Sequence, residues 1–193
     1  MKRRLVSLMT AACLALTLTG CVKVIEKGTE GQYTGEVEFD AAADSSSDWG
    51  QISTEIGDKA KEISEVMSAG IGSSTVAVKG TGTVKEYIEK GPKHLLSVTI
   101  DGYDGSETFT IQIGTVYSGT ALRDTQTLKV FENFTNQTEW SQYAKALNAE
   151  MHARVIEPLG IDDSAVGKKV TFTGAATQSG TEVTITPSAL TIE

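Results

Sequence analysis

The sequence predicts a mainly β domain carrying two helices, on three observations. From Thr75 onward, β-branched and other apolar residues alternate with polar ones in runs of strand length. Two stretches break that alternation with apolar residues at helical spacing, one before the β-rich part and one inside it. Gly80 and Gly82 fall within the first long run, where glycine marks a bulge or a sharp bend. The order is a helix, three strands, a helix and two strands. Three antiparallel strands cannot bury a sheet alone, and two more that curl it remove its edges. The fold class is therefore α+β, an OB-like five-stranded barrel preceded by an N-terminal helix. An open antiparallel sheet with both helices on one face is the competing arrangement.

The chain opens with Lys2, Arg3 and Arg4, then an apolar run from Leu5 to Thr17, then Leu18-Thr19-Gly20-Cys21. Positive charge, a short apolar core and small residues before a cysteine are the parts of a cleavable export signal. The run is too short to span a bilayer. The tetrapeptide resembles the bacterial lipobox, Leu-x-Gly/Ala-Cys. Residues 1–20 are expected to be removed and Cys21 to receive the lipid. Val22 rather than Asp follows Cys21, which in a host with two membranes favours the outer one. Residues 21–47 read as a tether and N-terminal extension. Within it Val22 to Glu26 and Tyr33 to Phe39 alternate weakly, Gly28, Gly31 and Gly35 interrupt, and Ala41 to Ser47 reads as a polar loop.

Asp48 can cap a helix that occupies residues 48–72 and packs on the barrel. Ile52, Ile56, Ala60, Ile63 and Met67 make its apolar stripe, and Gly70-Ile71-Gly72 ends it. Residues 73–193 form the barrel. Thr75 to Ile88 is the first strand, Gly91-Pro92 the turn, and His94 to Asp101 the second strand, with Leu96, Val98 and Ile100 on one face. Asp104-Gly105 turns the chain into a third strand, Thr108 to Tyr117, which aligns Phe109, Ile111 and Ile113. Ser118 to Asp124 reads as a loop and Leu128 to Phe131 as a short extended piece. Asn136, with Glu139 three residues on, has the spacing of a capping box. Trp140, Tyr143, Ala144, Leu147 and Met151 then carry a second helix to about Ile156, closed by Pro158 and Gly160. Lys169 to Ala175 and Thr181 to Thr186 are the last strands, and Thr191 to Glu193 can prolong the sheet beyond Pro187.

Composition narrows the function. Loss of the three basic signal residues leaves 14 basic against 25 acidic side chains, a net charge of −11. Such a surface repels nucleic acid, so the phosphate-driven part of that binding is missing. Cys13 leaves with the signal and Cys21 is consumed by the lipid, so no thiol remains for a disulfide, a metal or a nucleophile. With only 6% aromatic residues, the core is expected to be built from Val, Ile, Leu and Thr. His94 and His152 are the two histidines, and neither Gly-x-Ser-x-Gly nor His-Glu-x-x-His occurs. Spatially paired carboxylates remain open, because such pairing leaves no mark at sequence level.

Three spaced segments carry a resemblance. They are Thr120-Ala121-Leu122-Arg123-Asp124, Phe131-Glu132-Asn133-Phe134-Thr135-Asn136-Gln137, and Gly167-Lys168-Lys169-Val170-Thr171-Phe172-Thr173-Gly174. In that order they resemble the predicted periplasmic lipoproteins of the domain of unknown function 2291, from about residue 36 to residue 193. The family's Gly-Pro-Val-x-x-Gly segment reads Gly114-Thr115-Val116-Tyr117-Ser118-Gly119 here. The resemblance implies an envelope protein, and some relatives are encoded beside ATP-driven sugar transport systems. It implies no catalytic residues.

The candidate contacts lie in these segments. Arg123 can grip a carboxylate, a phosphate or sugar hydroxyls with its fixed fork, or clamp its loop by pairing with Asp124 or Glu132. Asn133, Asn136 and Gln137 carry amides able to recognise a sugar, while Asn136 also suits a helix cap. Phe131 and Phe134 read as core anchors. Trp49, beside a polar loop, could stack on a sugar ring if exposed. The expectation is a non-catalytic, lipid-anchored extracytoplasmic accessory protein that binds a small molecule such as a sugar near an ATP-driven transport system. A protein-docking or structural module of the cell envelope is the alternative. Expected partners are the membrane, through lipid on Cys21, and a small sugar or envelope protein; no nucleic acid, cofactor or metal is expected.

Overall fold

Residues 39–72 and 74–193 are described by a computed structural model of the chain. The export signal, Cys21 and the tether up to residue 38 lie outside them. Helix α1 (Ala41–Lys59) begins at Asp40, whose carboxylate accepts from the Ala42 and Ala43 amides at 3.0 Å. This corrects both the polar loop expected at Ala41 to Ser47 and the cap expected at Asp48. Three consecutive alanines favour helix strongly. Ser45 and Ser47 return their hydroxyls to the carbonyls of Ala42 and Asp44 within the helix. One face buries Ser45, Trp49, Ile52 and Ile56.

The helix expected to continue to residue 72 stops at Lys59. Ala60 turns to extended backbone, β1 (Lys61–Glu62) pairs in parallel with Val78 and Lys79, and helix α2 (Ile63–Ala69) restarts. Ile63 and Met67 are buried as the stripe requires. The periodicity runs through the break, which hides it in the sequence. Gly70, at φ +83°, closes α2 as expected.

The barrel is built from β2 (Val76–Lys90), β3 (Lys93–Ile100), β4 (Thr108–Gln112), β5 (Lys169–Ser179) and β6 (Glu182–Ile192). Going round, the order is β2-β3-β4-β6-β5, and β5 returns to β2. All pairs are antiparallel except β4 with β6, which runs parallel. The long strand β2 makes closure possible. Its first half, from Val76, pairs with β5, and its second half, from Gly82, pairs with β3. Gly82 sits where the partners change over, and a Cβ there would press on the Thr99 carbonyl oxygen. A bulge between Val84 and Glu86 adds further bend. Leu96, Ile111, Ile185 and Ala176 stand opposite one another on successive strands and are fully buried, a ring of the barrel core.

The five-stranded OB-like barrel is as the sequence predicts; strand lengths differ. β4 ends at Gln112 rather than Tyr117, because Ile113 and Gly114 both turn their amides onto the His94 carbonyl, at 2.9 and 3.0 Å. β6 runs through Pro187 to Ile192. The proline is tolerated because a bulge between Thr173 and Gly174 lies opposite it. Between β4 and β5 lie α3 (Ala121–Thr125), where a loop was expected, and α4 (Gln137–Met151). Leu128 to Phe131 forms no strand; a short 3-10 turn covers Phe131–Asn133. A π turn, His152–Ile156, follows α4, and Gly160 at φ +53° ends the excursion. Helix α1 packs mainly on α4 and also touches β2, β5 and β6.

Candidate functional site

Most of the residues expected to contact a ligand are engaged in holding the surrounding structure. Arg123 donates from Nε and Nη2 to the Asp124 carboxylate at 2.8 and 2.7 Å, and from Nη1 to the Trp140 carbonyl at 3.3 Å. Its guanidinium lies 4.2 Å from the centre of the Trp140 ring. The fork therefore ties α3 to α4. Asn133 accepts from the Val130 amide at 2.8 Å. Asn136 caps α4, accepting from the Thr138 and Glu139 amides at 2.9 and 3.0 Å. Glu139 reaches back to the Thr135 amide, one residue further than a capping box requires. Gln137 is exposed at the first turn of α4.

Two aromatic expectations change. Trp49 is 5% exposed, so it cannot stack on a sugar ring. The polar loop that would have exposed it is helix, and its face turns inward. Phe134 is buried as expected, but Phe131 is 43% exposed and stands beside Trp140.

Lys129 escaped the sequence reading. Its Nζ lies 2.7 Å from Asp44 and 2.9 Å from Asp48, and Tyr143 donates to Asp48 at 2.8 Å. Partial burial pulls the lysine pKa down, but hydrogen bonds to Asp44 and Asp48, with their charges, outweigh it and hold the ammonium above its ordinary value. Burial, and then Asp48, push the Tyr143 phenol up. The group fastens α1 to α4 and the segment before it.

A shaped depression lies elsewhere, on the outer face of β2, β3, β4 and β6. It is a groove of about 370 Å³. Because side chains alternate along strands, the register fixes its rows. Lys90 stands opposite Lys93; Ile88, Leu95 and Gln112 form the next row; Glu86, Ser97, Thr110 and Thr184 the third; Thr108 and Glu182 the fourth. Lys85 projects from the bulge into the same groove. Gln112 is buried and satisfied, accepting from the Ser118 amide at 2.8 Å and donating to Thr186 Oγ1 at 2.8 Å. It pins the loop after β4 over one end, where Lys93 donates to Ser118 Oγ at 3.0 Å.

A second depression, about 230 Å³, brings His94 and His152 to one cleft beside Ile113 and Glu157. Each ring is held at Nδ1 by a tyrosine hydroxyl, Tyr87 at 2.8 Å and Tyr117 at 2.6 Å. Burial pushes the Tyr117 phenol up, so the phenol donates and the imidazole accepts.

A family profile described as "Predicted periplasmic lipoprotein (DUF2291)" matches residues 11–191. The chain belongs to that family. It is accordingly an extracytoplasmic lipoprotein of predicted periplasmic type. No curated protein is significantly similar in sequence. Among solved structures the chain is similar to an OB-fold protein of Thermotoga maritima MSB8, with a TM-score of 0.60 and 15% identity, covering 80% of this chain and 99% of that one. That likeness shows the fold. Two further matches carry no argument. The Schizosaccharomyces pombe Stn1–Ten1 complex has a TM-score of 0.30 at 14% identity, covering 61% and 57% of the two chains. The Entamoeba histolytica aspartyl tRNA synthetase has 0.32 at 15%, covering 69% and 21%.

In this member of the family the three spaced motifs do not line the groove, although Ser118 of the 114–119 segment does. The motif Thr120 to Asp124 builds α3, and Phe131 to Gln137 builds the start of α4, both away from the residues lining the groove. A signal for the groove did exist. Lys90-Gly91-Pro92-Lys93 is a two-residue hairpin turn, and such a turn sets its flanking residues opposite each other on one face. No helix among the described residues is long and apolar enough to cross a membrane.

Proposed function

We propose that this lipoprotein is a non-catalytic binding module, anchored through lipid on Cys21, whose barrel groove takes a small sugar-like solute for an ATP-driven transport system. One observation carries the reading: the groove lies on the outer face of the second and third barrel strands, beside the hairpin that joins the first two. OB-type barrels bind oligonucleotides and oligosaccharides there. The acidic surface disfavours the first class. Hydroxyls of Ser97, Thr108, Thr110 and Thr184 suit a polyol, and the Ile88–Leu95 pair offers an apolar floor for its C–H face. The sugar-transport setting is supported by the family resemblance.

The test is a thermal-shift screen of sugars, amino acids and divalent metals on the detergent-solubilised full chain. A ligand of the folded state raises the melting temperature by mass action. A sugar should do so, and Ser97→Trp, which fills the groove from β3, should abolish the shift while leaving the unliganded protein folded. A shift that survives Ser97→Trp would place binding elsewhere.

A docking role is favoured by one separate observation. Val130 and Phe131 are consecutive and 46% and 43% exposed, on the surface between α3 and α4. Under that reading Val130→Ser with Phe131→Ser should break co-fractionation with the transport system and leave the sugar-induced shift intact.

A further inference from the structure

We propose that the solute held by the groove is a hydroxylated anion, with Lys90 and Lys93 gripping its carboxylate or phosphate. The inference rests on the groove being the binding site and adds the charge of what enters it.

Lys90 and Lys93 face each other directly across the hairpin, on the same side of the sheet. Like charges so placed repel and destabilise a strand pair. Four other lysines have acids within reach: Lys59 with Glu55, Lys79 with Glu62, Lys129 with Asp44 and Asp48, and Lys169 with Asp101. Lys61, Lys145 and Lys168 have none among the described residues, but they stand apart from one another. Among the described residues no acid lies within 4.0 Å of Lys85, Lys90 or Lys93. Lys93 donates to the Ser118 hydroxyl, but no carboxylate offsets the three ammonium charges, and a bound anion would relieve the repulsion between Lys90 and Lys93. The two acids in the groove, Glu86 and Glu182, sit two and three rows from the lysine pair. The groove thus changes along its length: two facing lysines at the hairpin, then an apolar floor, then hydroxyls with Lys85 and the carboxylates of Glu86 and Glu182. From Lys90 to Glu86 is about 13 Å at the usual rise per residue, the length of one or two sugar rings. An acidic group at one end and hydroxyls at the other complete the match.

The probes are glucuronate, glucose 6-phosphate and glucose, titrated calorimetrically into the detergent-solubilised full chain at neutral pH. At least one anion should bind tenfold or more tightly than glucose, and which of the two does so separates carboxylate from phosphate. Lys90→Gln combined with Lys93→Gln should erase the preference at unchanged circular dichroism. Lys145→Gln, on the exposed face of α4, should keep it. Raising salt should weaken the anion and spare glucose. Equal binding of glucose and both anions, unaffected by the double substitution, overturns the anion and leaves the groove standing. No binding by any probe overturns both.

Discussion

Arg123 is the residue whose surroundings change its expected importance most. Its acid partner, Asp124, keeps 37% exposure, while the arginine itself keeps 12%. Removing the arginine thus leaves a carboxylate that water can reach, and the large penalty of a stranded buried charge does not arise. What is lost is the cation–π contact with Trp140, a hydrogen bond to its carbonyl, and packing between α3 and α4. Arg123→Ala should cost about 1–2 kcal/mol, read as a lower urea midpoint at unchanged slope. Asn136→Ala should cost about 1 kcal/mol, since two amides at the start of α4 lose their acceptor. That cap was legible in the sequence because it needs only one residue and its local backbone. The partners of Lys129 were not, because Asp44 and Asp48 lie on another helix far away in the chain. No local pattern encodes such a meeting.

At the level of elements, the bends of the barrel rest on missing side chains. A Cβ on Gly174 would meet the Thr186 carbonyl oxygen and stand 2.7 Å from the Pro187 Cα, both of them backbone, so nothing can swing aside. Gly174→Ala should therefore cost about 3 kcal/mol. Gly80→Ala meets only the methyl of Ile63 at 2.9 Å and the edge of Phe172 at 3.1 Å, which can yield in part, and should cost less. Denaturation of the two variants side by side gives the order. The mid-strand glycines were legible as bends; the exchange of partners around Gly82 explains why bends are needed. The break between α1 and α2 was hidden, since one apolar stripe serves both helices. Apart from the hairpin that sets Lys90 opposite Lys93, the groove was hidden for a different reason. Its hydroxyls and lysines are ordinary outward residues of strands, and only closure gathers them into one concave face.

For the whole molecule, pH stability follows from where protons are held. Burial raises Glu55, but hydrogen bonds from Lys59 and Thr127 outweigh it and hold its carboxyl below the ordinary 4.5. Its contribution is complete above about pH 4.5 and is lost as pH falls through the lowered value. Lys129 is held above 10.5, so its contribution is complete below that and is lost as pH rises through the raised value. Tyr103, pushed up to about 12 mainly by donating to Glu107, adds to the same alkaline loss. The urea midpoint should hence fall below about pH 4.5 and above about pH 10. Glu55→Gln should flatten the acid limb and Lys129→Met part of the alkaline one. Beyond pH, the parallel β4–β6 pair joins Thr108 to Glu182, 74 positions apart, and seals the barrel on one side as β2–β5 does on the other. An exported chain emerges from its N-terminus, so β2, β3 and β4 reach the far side of the membrane with their closing partner still behind it. Contact order this high makes folding slow, on the scale of milliseconds to seconds. Until Ile192 has crossed, the edges of β4 and β5 stay open. Removing residues 182–193 should consequently yield a protease-sensitive chain prone to edge-to-edge association, and the protein's vulnerable interval is its passage into the envelope.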